Sequence, residues 1–96
     1  MNGQIYTLLH PVELKNAQGE VVERIEQLTL SRLNGKDMRE IGNAKARGEG
    51  EMMGVMVCKS SNLPPSTVDQ LDAEDFTAAG IIVAGFIGGV QAIGAM

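Results

Sequence analysis

The stretch EQLTLSRLNGKDMREI, residues 26–41, changes its periodicity halfway. In its first half apolar side chains recur every second residue, at Leu28 and Leu30, which sets them on one face of an extended strand. After Leu33 the alternation stops. Asn34 supplies an acceptor for the free amides of a first helical turn, and Asp37 brings a carboxylate near that turn's positive end. Met38, Ile41 and Ala44 follow at helical spacing, leaving Lys36, Arg39, Glu40 and Lys45 to face water. A strand that runs directly into a helix puts the chain in the α+β class.

Upstream, residues 21–32 carry the alternation backwards with Val22 in the phase of Leu28 and Leu30. Ile25 falls out of that phase, which predicts a bulge or a register change between Arg24 and Gln27. Asn16-Ala17-Gln18-Gly19 has turn chemistry. Before it, residues 5–14 place Tyr6, Leu8, His10, Val12 and Leu14 on one face, with Pro11 predicting a sheet edge or a bend because it has no N–H to donate. The two runs make an antiparallel β-hairpin over residues 5–33.

Downstream, GNAKARGEGE (42–51) holds three glycines and little apolar material, so it predicts a mobile linker or a frayed helix end followed by one. EMMGVMVCK (51–59) regains helical spacing at Met52, Val55 and Met56. Residues 60–65 break that helix, and Pro65 or Ser66 opens a brief turn through Leu71. Asp72, with Asp75 at the third helical position, caps a final helix in a pattern related to the capping box. The organisation predicted is one domain over 1–96: a hairpin over 5–33, three or four short helices over 34–88, and a flexible apolar tail over 89–96.

The final segment from Phe76 to Met96 has no ionisable side chain. Nine large apolar residues stand there with five alanines, five glycines, Thr77 and Gln91. One reading is core, since Phe76, Gly80, Val83 and Ile87 share a helical face able to pack on the hairpin and the methionine-bearing helix. A second is a membrane anchor over 76–96, because about twenty apolar residues cross a bilayer; against it stand the absence of basic or aromatic residues at its borders and the acids Asp72, Glu74 and Asp75 before it. The third is a surface for a partner, because Ile82 and Phe86 lie off the core face and a domain of this size buries only about two-thirds of its unfolded surface. The reading adopted combines core up to about Gly85 with a partner or self-association surface beyond it. Its candidate contacts are Met52, Met53, Met56, Phe76, Ile82, Phe86 and Ile87. Methionines at 52, 53 and 56 serve as core filler or as adaptable surface.

Charge and chemistry narrow the function classes. A net charge of −4 has the wrong sign for a protein that relies on phosphate contacts with nucleic acid. Residues 1–50 balance seven acids with seven bases, whereas residues 51–96 carry five acids and only Lys59. Segment 31–47 is locally positive, a solvated face or one that docks on the acidic second half of another copy. The single cysteine, Cys58, has no metal-ligand neighbourhood and sits among Val55, Met56 and Val57 as a buried thiol, which suits a reducing cytoplasm. His10 is the only histidine and reads as a packed or surface residue, while Asp72, Glu74 and Asp75 are explained by capping before any metal. No signal peptide is expected at the amino terminus, and no catalytic residue, metal or cofactor is expected anywhere.

With these elements in order, the sequence resembles the phage tail assembly chaperones of contractile-tailed phages, the Mu-type and P2-type group. The resemblance lies in EQLTLSRL (26–33) running into NGKDMREI (34–41), and in LPPSTVDQLDAEDF (63–76), where a proline turn leads through Leu71 and Asp72 to Asp75. It implies a small non-enzymatic protein of the host cytoplasm, absent from the mature virion, that binds the tape measure protein, keeps it soluble and helps recruit tail-tube subunits. It also implies a frequent longer, frameshifted form.

Overall fold

In the computed structural model, which describes residues 3–87, a two-stranded antiparallel sheet is followed by four helices. Strand β1 (Gly3–Lys15) pairs with β2 (Val21–Ser31). The turn between them is organised by Asn16. Its carbonyl accepts from Gly19 N at 3.0 Å, and its side-chain oxygen accepts from Gln18 N and Glu20 N at 2.9 and 3.0 Å. Gly19 has φ 81°, a left-handed conformation that an L side chain resists.

The ladder runs in register from Gly3 opposite Ser31 to Thr7 opposite Gln27, and resumes at Val12 opposite Ile25. Between these points the four residues Leu8 to Pro11 face Glu26 alone, so the predicted irregularity lies at the right height, but its extra residues are on β1. Pro11 explains the side, since it has no N–H to give the ladder. The bulge also overturns the placing of His10 on the inward face of β1 and leaves it a surface residue. Leu8 and Val12 point inward and are 5% exposed, while His10 is turned out to solvent.

Helix α1 (Gly35–Lys45) begins as the sequence predicts. Asp37 N donates to Asn34 Oδ1 at 2.9 Å and Asn34 N donates to Asp37 Oδ2 at 3.2 Å, a complete capping box. Replacing Asn34 with Ala is expected to cost about 1 kcal/mol in a chemical denaturation midpoint. The linker predicted over 42–51 shrinks to three residues, 46–48, because α1 continues to Lys45 and α2 (Glu49–Ser61) starts directly after them. Two forces override the glycines. Ile41 and Ala44 are buried beneath α1's second half, and Glu49 and Glu51 lie at the positive end of α2, where Gly48 takes φ 114° at the cap. Helix α2 stops at Asn62, which has φ 59°, and α3 (Pro65–Val68) opens on the fixed φ of Pro65. Helix α4 (Ala73–Phe86) follows Asp72, whose carboxylate accepts from Glu74 N at 3.0 Å.

The core is shared by the hairpin (Leu8, Val12, Leu28, Leu30), α1 (Ile41), α2 (Met56, Val57), α3 and its turn (Val68, Leu71), and α4 (Ala79, Val83) with Ile87 just beyond it. Helices α2 and α4 pack on the sheet, and α1 packs along α2. Ser60 Oγ donates to Ser31 O at 2.7 Å, tying the end of α2 to the end of β2. Among the described residues no helix is long and apolar enough to cross a membrane, and α4 spans 14 residues; of the anchor read over 76–96, residues 88–96 lie outside the described residues. The tail predicted over 89–96 lies outside the described residues.

Candidate partner-binding surface

Helix α4 is held on the sheet by a carboxylate. The four-residue bulge in β1 takes the Leu9 and His10 amides out of the ladder, and Asp75 collects both: Leu9 N donates to Oδ1 at 2.9 Å and His10 N to Oδ2 at 2.9 Å. Tyr6 Oη donates to Oδ1 at 2.8 Å. Asp75 therefore does not close a capping box, as its spacing from Asp72 predicts; its side chain reaches β1 and is 0% exposed.

The electrostatics follow from these contacts. Burial pushes the Asp75 carboxyl up, but donation from Leu9, Tyr6 and His10 outweighs it and leaves it below the ordinary value. The same hydrogen bond, with burial and the nearby negative charge, pushes the Tyr6 hydroxyl up to about 12. His10 Nε2 lies 3.0 Å from Glu74 Oε1 and 3.6 Å from Asp72 Oδ2, and these partners, Glu74 first, raise its pKa. His10, Asp72 and Glu74 are close enough to share an ion. Their arrangement is already explained: Asp72 caps the helix, Glu74 pairs with His10, and the positive end of a helix favours carboxylates over a cation. Cys58 is half-buried, and burial raises its thiol, which keeps it protonated and weakly nucleophilic.

Asp75 and the cap fix which side of α4 looks outward. Ala79, Gly80 and Val83 face the core with Ile87. A Cβ at Gly80 would come within 2.7 Å of Met53 Cε, so Gly80 lies against the end of the Met53 side chain of α2, which would have to shift to admit one. Apolar residues nevertheless continue around the helix. Ile81, nearly opposite the buried face by helical geometry, is 66% exposed, with Ala78, Ala84 and Gly85 beside it on the outward side. Ile82 and Phe86 are half-buried on one flank.

The seven candidate contacts are thus divided. Met56 and Ile87 lie in the core, 5% and 9% exposed, whereas Met52, Met53, Phe76, Ile82 and Phe86 are half-buried around its rim. Met53 sits in the seam with α4. The most exposed residue of the strip, Ile81, is absent from the sequence-derived set. The phase alone could have found it, since once Gly80, Val83 and Ile87 point inward residue 81 must point out. Ile5 and Leu9 add exposed apolar surface on the hairpin, at 58% and 63%, in the phase opposite to Leu8 and Val12, so the alternation alone could have found them too.

The family model described as phage tail assembly chaperone proteins, E, or 41 or 14, matches residues 6–88, from the start of the hairpin to just past α4. No match was found among curated proteins or among solved structures.

Proposed function

Because the chain belongs to the family of phage tail assembly chaperone proteins, we propose that it acts without catalysis on the tape measure protein, keeping it soluble and helping to bring tail-tube subunits to it. The host cytoplasm is the place for this work, and the finished virion would not contain the chain. One observation carries the reading: α4, which has no polar side chain from Ala78 to Phe86, is buried on one side only, leaving Ile81 66% exposed on the other. An exposed apolar strip costs solubility unless something covers it, and a client of long amphipathic helices offers apolar stripes of matching width. Half-buried Met52, Ile82 and Phe86 at the rim give that surface room to adapt.

Co-expression with the tape measure protein tests it. Ile81→Asp sets a charge in the middle of the strip without touching the core; it is expected to weaken binding by about 2 kcal/mol, roughly thirtyfold, and to send the client into the pellet. Undiminished recovery of soluble client would remove the strip from the proposal. Phe86→Ser is expected to act in the same direction, whereas Ile87→Ser, at a buried position, is expected to unfold the domain first.

A further inference from the structure

Charge is segregated along this chain in a way that its own ion pairs do not cancel. Residues 32–47 carry five bases, Arg32, Lys36, Arg39, Lys45 and Arg47, against Asp37 and Glu40; from residue 48 onward six acids stand against Lys59 alone. Among the described residues the ion pairs of Lys and Arg are Arg24 with Glu13 and Glu26, Arg47 with Glu51, and Lys59 with Glu40. None joins Lys36 or Arg39 to an acid. Both side chains lie on the side of α1 away from buried Ile41 and Ala44, where they line a shallow hollow with Glu40, Gly42 and Asn43 that is open to solvent.

The acids have a different setting. Val68, Asp69, Leu71, Ala73 and Phe76 line a hollow of about 280 Å³ where α3 meets α4. Asp69 is exposed, and Asp72 and Glu74, exposed as well, follow it in the cap and first turn of α4, where His10 faces both of them. A half-buried aromatic ring and an apolar floor beside carboxylates suit the aliphatic stem and cationic head of Lys or Arg.

We infer that the basic outer face of α1 in one copy docks on this acidic hollow in a second copy. The two patches differ, so the contact is heterologous, and each copy keeps one unused face through which further copies can add. Charge complementarity of this kind governs register and encounter rate more than raw affinity, so the assembly is salt-sensitive. It depends neither on the client nor on the strip around Ile81.

Sedimentation of the full chain in the absence of client reads it directly. The single chain has a mass of 10.2 kDa. Low salt is expected to give larger species, and raising the salt to about 0.5 M to weaken association at least tenfold. Lys36→Glu with Arg39→Glu breaks one face, and Asp69→Lys breaks the other. All three sites are exposed, so circular dichroism is expected to show an unchanged fold. Each variant alone is expected to be monomeric, and a mixture of the two to form a one-to-one pair, since each retains the face the other lacks. A monomeric wild type at low salt would overturn the inference. So would self-association that both variants and high salt leave intact, which would point to apolar surfaces, and so would loss of client binding on reversal of Lys36 and Arg39 in a protein that never self-associates.

Discussion

Asp75→Ala is expected to cost roughly 3–5 kcal/mol, a large part of the roughly 5–15 kcal/mol that holds a domain of this size together. The substitution leaves two main-chain N–H groups, of Leu9 and His10, and the Tyr6 hydroxyl without their acceptor, in a bulge whose geometry keeps them from the ladder. Asn is not expected to rescue it, because one of its two terminal atoms is an N–H donor facing donors. Tyr6→Phe removes one donor of the three and is expected to cost about 1–3 kcal/mol. Urea denaturation of the four proteins gives the ranking.

The same site sets a pH dependence. The folded pKa of Asp75 lies below its ordinary 3.8, so its contribution is complete above that value and is lost as the pH falls through the folded pKa. The folded pKa of His10 is raised above 6.5, so the contribution of its pairing with Glu74 is complete below 6.5 and is lost as the pH rises through the folded value. Denaturation midpoints are expected to fall steeply in acid for the wild type and less steeply for Asp75→Ala, while His10→Ala removes only a shallow slope on the neutral side.

Leu30→Ala is the second large effect. Leu30 is 0% exposed where the hairpin meets the helices, and truncating a fully buried leucine costs roughly 2–5 kcal/mol as lost burial plus a cavity. Ile81→Ala, of similar chemistry on the outward side of α4, is expected to change stability by no more than about 0.5 kcal/mol. That contrast separates folding from binding. A comparable loss at both positions would mean that α4's outer side is part of the core.

The elements that depend on neighbours in sequence were legible in it. The alternation at Leu28 and Leu30, the cap at Asn34 with Asp37, the proline opening α3 and the cap at Asp72 all involve residues a few positions apart. The inward phase of α4 was legible too, through Gly80, Val83 and Ile87. What escaped depends on distant partners. Residues 42–51 have poor helix propensity, yet Ala44 is buried and that packing outweighs Gly42. The carboxylate of Asp75 has two plausible uses at its place in the helix, and only the bulge more than sixty residues earlier decides between them. The bulge in turn moved His10 to solvent, against the alternation that set it on the apolar face.

The claim at the centre is that the outward strip of α4 touches the client. A photo-crosslinking amino acid at position 81, in cells making the tape measure protein, addresses it directly, with position 22 as control because Val22 is comparably exposed at 63%. Crosslinking to the tape measure protein is expected from position 81 and not from position 22. Crosslinks from position 22 alone, or none from position 81 in cells where the client stays soluble, would contradict it.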